Sequence, residues 1–375
     1  MAFQFQSVAA VAPLLGREFS VSIADIGVLI GLYFAPGIVF ALPGGAIGQR
    51  FGDKGTVLGA LALMLAGSFT MACVDSWSLQ IAARLVAGIG GVIMSVQLTK
   101  MLTDWFAGKE IATAMAIFVN SWPAGIAVSL LTLPSIGTSI GVDAVHLAVA
   151  AFIASGILLL ALFYQPPAHA PAETAGAARL DRTSAFAVIV AGLIWGLYNI
   201  GFLVVFSFGP SLLVERGWSI ASAGSAISIG LWLVVLSVPF GGWLADRTGR
   251  PQTILVTASL VFTALLILLP RTGAVIATII GLGLIAGQAA GPIMSLPARV
   301  LQPATRAIGM GLFFTMFYGC MMLGPAVGGA LAKWAGSSGA AFDFGAAMIL
   351  LSLVMLWVFN RIAARTAAYH ATASI

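Results

Sequence analysis

An all-α polytopic membrane protein, with twelve transmembrane helices in two pseudo-symmetric six-helix bundles, is the fold class this sequence predicts. Three observations predict it. The 375 residues are 60% apolar and only 8% charged, with a mean hydropathy of +1.07, whereas soluble domains carry about 25% charged residues. Apolar runs of the length needed to cross a bilayer core, about 20 residues for about 30 Å, recur along the whole chain. The second half of the chain also repeats the first at a single offset.

In chain order the runs cover residues 2–15, 26–47, 55–74, 79–101, 111–134, 144–164, 185–212, 222–244, 253–270, 274–296, 306–332 and 344–361. The first is short for a span, about 24 Å of helix up to Arg17, and lacks the basic start and small-residue cleavage site of a signal peptide. It reads as the back half of a helix that begins before Met1, so the first helix is truncated. The one long polar break runs from Gln165-Pro166-Pro167 through an Ala/Pro stretch to Arg179, Asp181 and Arg182, a linker over 165–184. It divides a first six-helix bundle, 1–164, from a second, 185–362, and residues 363–375 form a tail. If the runs alternate in direction, 12 of the 17 basic residues fall on one side and only Arg17, Arg216, Arg271 and Lys333 on the other, with Arg84 inside a run. The positive-inside rule makes the rich side cytoplasmic, together with the C-terminus. The net charge of +5 is then a matter of topology, and the scattered basic residues do not form a nucleic-acid surface. Cys73 and Cys320 sit in separate apolar runs and predict neither a disulfide framework nor a metal site.

The repeat appears at an offset of 197. Pro13 meets Pro210, Glu18 meets Glu215, Ser22-Ile23-Ala24 meets Ser219-Ile220-Ala221, Gly27 meets Gly224, Arg50 meets Arg247, and Gly52 meets Gly249. With small slips it extends to Leu85 and Gly88 against Leu284 and Gly287, and to Ile93-Met94-Ser95 against Ile293-Met294-Ser295. Two like-oriented halves joined by a linker are the parallel repeat of a two-bundle transporter.

These residues resemble the major facilitator superfamily. The stretch from Gly242 to Arg250, with Asp246, Arg247 and Gly249 between them, fits that family's G-x-L-A-D-R-x-G-R loop position by position. Its copy in the first half keeps Gly45, Arg50 and Gly52 but has Gln49 where the family usually has Asp. Arg84, Gly88 and Gly90 look like the family's R-x-x-x-G-x-G pattern. Gly324-Pro325 with Gly328-Gly329 looks like the G-P-x-x-G-G of the family's antiporters, which carry it in the fifth helix; here the fifth has Asn120-Ser121-Trp122-Pro123 instead. Phe5-Gln6-Ser7, Asp104-Trp105-Phe106 and that Asn-Ser-Trp-Pro run look most like the bacterial cyanate-permease branch. The resemblance implies a bacterial inner-membrane, multi-pass secondary transporter working by alternating access.

The loop motif has a mechanical reading as a latch: Asp246 can accept backbone N–H bonds at a helix N-terminus of the opposite half, while Arg247 and Arg250 hold carboxylates or helix C-termini. Gln49 makes the first copy the weaker latch. Alternatively the glycines serve the turn and the charges serve topology. Arg84 is the one charge within the predicted spans away from their ends and is costly there. It reads either as the seat of a small organic or inorganic anion, gripped bidentately, or as a structural donor to backbone carbonyls of the first helix. Gln4, Gln6, Tyr33, Asn120, Trp122, Trp195, Tyr198, Asn199, Trp232, Gln288 and Tyr318 are further polar or aromatic candidates to line the path, each also able to serve as glue between helices. His146, at the outer end of the sixth run, is a proton relay or a boundary residue; His169 and His370 lie in linker and tail.

An intramembrane enzyme would need a nucleophile with its base, or paired acids, within a span; the sequence shows no such set, and no cofactor or metal is implied. The expected partners are a small-molecule substrate and the lipid bilayer, with protons as a possible coupling ion, for a monomer that binds no nucleic acid. Uptake of an anion is the first reading, and proton-coupled efflux of drugs or metabolites the alternative.

Overall fold

The structure, a computed structural model, describes residues 1–40, 51–105, 111–165, 180–301 and 305–373. Gly45, Gln49 and Arg50 of the first latch copy, and His169 of the linker, lie outside them. The described residues are helical almost throughout, and eleven stretches among them are long and apolar enough to cross a membrane.

The first half opens with α1 (Ala2–Ala10) and α2 (Ala12–Glu18), separated by a break at Val11. Pro13 stands in the first turn of α2, where its missing N–H costs nothing. Then come α3 (Ile23–Leu32) and α4 (Ala35–Phe40), α5 (Asp53–Cys73), α6 (Trp77–Trp105), α7 (Ile111–Ser139) and α8 (Val142–Phe163). A capping box of Ser22 and Asp25 starts α3. In the second half, α9 (Arg182–Glu215), α10 (Ile220–Thr248) and α11 (Pro251–Leu268) are continuous. The tenth predicted run is not: α12 (Val275–Ala286) ends at a turn over 287–289, and α13 (Ala290–Met294) and a 3-10 turn, Pro297–Arg299, complete it. Finally α14 covers Arg306–Ala335 and α15 Gly339–Ala373, so the last helix runs on through residues the sequence assigns to a tail.

Within the first half α5 packs on α6 and α8; within the second, α9 packs on α14 and α15, and α10 on α12. Across the halves α3 packs on α14, α7 on α10, and α1 on α9. These cross pairs obey the internal repeat. A side chain added at Gly27 on α3 would come within 2.3 Å of the Pro325 carbonyl oxygen on α14, and one at its repeat mate Gly224 on α10 within 2.5 Å of the Leu130 oxygen on α7. Small residues are what allow such backbone approach between membrane helices.

Candidate functional site

Arg84 is 1% exposed. It reaches its place because α6 nests closely against its neighbours: Gly88 abuts the Tyr33 carbonyl, Gly90 that of Ala60 and Gly91 the Tyr33 hydroxyl, each with room for no Cβ. The guanidinium donates from Nε to the Leu29 oxygen (3.2 Å), from one terminal nitrogen to that of Gln4 (3.0 Å) and from the other to that of Phe5 (2.6 Å). Leu29 is available because the helix breaks just beyond it: the Tyr33 N–H turns to Ile30. Tyr33 and Phe5 cover the guanidinium, 4.6 Å and 5.7 Å from their ring centres. No carboxylate pairs with it among the described residues. Charge-assisted bonds to carbonyls and ring faces stabilise a buried cation but do not neutralise it.

Gln4 belongs to the same cluster. Its amide donates to the Met64 oxygen and the Ser68 hydroxyl and accepts from the Tyr33 hydroxyl. The cluster therefore lies wholly inside the first half.

A second set of polar groups crosses between halves. Gln6 donates to the Phe206 oxygen (2.7 Å), Asn120 to that of Val235 (3.2 Å), and Ser228 back to that of Ala127 (2.9 Å). The other amide atoms, Gln6 Oε1 and Asn120 Oδ1, are buried and have no partner among the described residues. Rings fill the space between these bonds. Trp122 stacks on Phe5 at 5.7 Å and touches Phe34 at 6.0 Å; Phe34 meets Tyr318 at 6.2 Å and Phe317 at 6.4 Å; Phe317 stacks on Trp195 at 6.2 Å. Four helices from both halves and the turn between α3 and α4 thus meet in one aromatic layer, with Gly37 giving the Tyr318 ring its seat.

The structure brings Gln6, Asn120, Trp122, Trp195 and Tyr318 to this boundary and Gln4, Tyr33 and Arg84 to the cluster beside it. Four predicted residues stand apart. Tyr198 donates to the Ala286 oxygen within the second half, Asn199 to that of Trp195 on its own helix, and Gln288 to that of Leu284 at the break after α12. Trp232 shares the α10 stripe of Ser228 and Val235 but is 44% exposed. Sequence reasoning missed Phe5, Phe34, Phe206 and Phe317, which carry no polar flag, and the Leu29 carbonyl. The glycine pair Gly27 and Gly224 was visible in the repeat, without its purpose. His146 is buried, and its Nε2 has no partner among the described residues.

The described latch copy ends α10. Gly249 takes a left-handed φ of +62° and its N–H closes the helix on Ala245, a conformation glycine adopts without strain. Asp246 is exposed and Arg247 lies over the Trp243 ring at 5.3 Å. Among the described residues no hydrogen bond ties Asp246, Arg247 or Arg250 to the other half. Gly242 meets nothing within 4 Å of an added Cβ, whereas a Cβ added at Gly241 would collide with the Gln288 backbone, so the tight helix contact uses the glycine before the motif.

Comparison with known proteins adds family-level findings. A family model described as Major Facilitator Superfamily matches residues 1–320 and 184–372. The inner membrane transport protein YajR of Escherichia coli is 31% identical over 137 residues, 36% of this chain and 30% of that protein. The probable nitrate/nitrite transporter NarK2 of Mycobacterium tuberculosis is 26% identical over 263 residues, 67% of this chain and 64% of that one; the matches thus span less than two thirds of either relative. The 4-hydroxybenzoate transporter PcaK of Acinetobacter baylyi is 22% identical, with 84% and 80% covered. Among solved structures, the nucleoside transporter NupG superposes with a TM-score of 0.72 at 14% identity, over 96% of this chain and 97% of that one. A bacterial homologue of the lysosomal transporter Spinster, in an inward-facing and occupied conformation, gives 0.72 at 16% identity, over 98% and 94%.

Proposed function

The chain belongs to the Major Facilitator Superfamily, and from that premise we propose that it moves a small organic or inorganic anion across the bacterial inner membrane by alternating access. The observation that carries this reading is Arg84, a fixed cation buried among carbonyls and rings with no carboxylate among the described residues to balance it. An anion in the adjoining layer is the partner that lowers its energy. The named substrates of two relatives, nitrate or nitrite and 4-hydroxybenzoate, are anions and support the class. The aromatic layer, with the spare amide oxygens of Gln6 and Asn120, supplies flat contact surfaces and acceptors for substrate hydroxyls.

In this reading the Lys54, Lys100 and Arg250 end faces the cytoplasm, as does the C-terminus. The contacts at Gly27, Gly224, Gln6 and Ser228 close the opposite end, and among the described residues Asp246 makes no bond to the other half, so in this reading the conformation is inward-open. Outward opening breaks these contacts and engages Asp246 across the halves. With no carboxylate among the described residues of the layer, a coupled proton would ride on the substrate or on His146. A single chain holds the whole path, so the monomer is the working unit.

A thermal-shift screen of the purified protein against small mono- and dicarboxylates, nitrate, cyanate and cationic dyes tests this. At least one anion stabilises the wild type and fails to stabilise Arg84→Gln. Stabilisation by the cationic dyes alone would overturn the anion and favour the efflux reading.

A further inference from the structure

The two halves differ in charge where their third long helices begin. In the first half Asp53, in the opening turn of α5, pairs with Lys100 of α6 at 3.1 Å and also accepts from Gln97. At the 197-residue offset the place of Asp53 is taken by Arg250, and Arg299 stands one residue before the match to Lys100 at the later offset of 200. One guanidinium thus takes the place of the ion pair's acid and another stands beside the place of its base.

An open cavity of about 360 Å³ joins them. Arg250, Arg299, Gln252 and Thr253 line it over an apolar floor that includes Leu255 and Leu296, and no carboxylate is among the lining residues. Arg299 is held in place: it donates to Asn360 Oδ1 at 3.0 Å and lies over the Phe359 ring at 5.4 Å, while Gln252 donates to the same oxygen at 2.9 Å. The flanking helices mark the depth. On α10 the exposed Trp243 stacks under Arg247, and on α15 the exposed Trp357 stacks under Arg361. Exposed tryptophan beside arginine is the pattern of the headgroup level of a bilayer.

We propose that this cavity is an anion site that takes a phosphate group, that of an anionic phospholipid headgroup. The two guanidiniums suit its oxygens and the apolar floor suits the glycerol and first methylenes beneath it. The phosphate replaces the carboxylate that the first half has at Asp53.

The test is native mass spectrometry of the full chain titrated with phosphatidylglycerol and with phosphatidylcholine, with inorganic phosphate as competitor. Wild type retains phosphatidylglycerol in preference to phosphatidylcholine, and Arg250→Gln with Arg299→Gln weakens that retention about tenfold or more, the scale of lost charge-assisted bonds. Arg361→Gln, at the same end but outside the lining, leaves it unchanged. Arg250→Asp restores the pairing of the first half by facing Arg299 with a carboxylate; it expels the lipid and raises the melting temperature, which separates loss of the site from loss of the fold. Equal retention of the two lipids, or unchanged retention in Arg250→Asp, overturns the proposal. Displacement of the lipid by low-millimolar inorganic phosphate would keep the anion site and overturn the lipid as its occupant.

Discussion

A guanidinium buried beneath two rings is stabilised by the groups around it as much as it stabilises them. Removing Arg84 leaves the Leu29 carbonyl without a donor, because the break over 33–34 withdraws the Tyr33 N–H. Arg84→Gln should therefore lower stability by about 2–4 kcal/mol, the cost of losing charged hydrogen bonds and stranding a buried carbonyl. Arg84→Lys keeps the charge but cannot span three carbonyls; it should lose about half as much and keep the preference for anions at lower affinity. Chemical denaturation in detergent, alongside the thermal-shift screen, measures both. Two glycines give a sharper contrast. Gly27→Ala would drive a methyl into the Pro325 carbonyl, while Gly242→Ala enters open space, so the first should open the α3–α14 seam and the second leave it intact. Cysteine labelling from the Arg17 side of the membrane reads the difference. Arg84 was legible in the sequence as the lone charge away from the ends of a span. Its partners were not, because backbone carbonyls have no signature in side-chain identity until the helix breaks are known.

The long helices could be read from the sequence because their apolar character is nearly continuous, on exposed and packed faces alike, and most observed ends lie within a few residues of the apolar runs. The breaks were harder to read. Val11, 33–34 and 287–289 interrupt helices near Pro13, Pro36 and Pro292, yet α7, α9, α10 and α14 carry Pro123, Pro134, Pro210, Pro239 and Pro325 without interruption. A proline removes one donor and crowds one carbonyl; whether the helix kinks or stops depends on what else satisfies the freed groups. At 287–289 the Ser237 hydroxyl does so, donating to Leu284 and accepting from the Gly287 N–H. Ser237→Ala should loosen this break and cost about 1 kcal/mol, with faster hydrogen exchange confined to residues around 287. Exchange unchanged there would show that α10 packing alone holds the turn. The loop motif was likewise legible as a signature but not as a state. Among the described residues its Asp246 makes no bond to the other half, so Asp246→Asn should leave the stability of this conformation unchanged and shift population toward it, seen as reduced labelling of outer-side cysteines.

At the scale of the molecule, the halves touch through pairs that the internal repeat relates, α3 with α14 and α10 with α7. A duplicated scaffold of this kind can exchange one set of closed contacts for another by rocking. The duplication was readable from the 197-residue offset, and so was the asymmetry of charge within it, Arg84 in one half and none at its counterpart. What rocking does with that asymmetry is the central claim: the charge of Arg84 makes the transported species an anion. The direct measurement is uptake into proteoliposomes of the anion that most stabilises the protein, by wild type, Arg84→Lys and Arg84→Gln, with folding and insertion of each checked. Uptake by wild type, weaker uptake with raised half-saturation in Arg84→Lys, and none in inserted Arg84→Gln is the expected result. Undiminished uptake by Arg84→Gln at unchanged half-saturation, or transport of cations in place of anions, would contradict it.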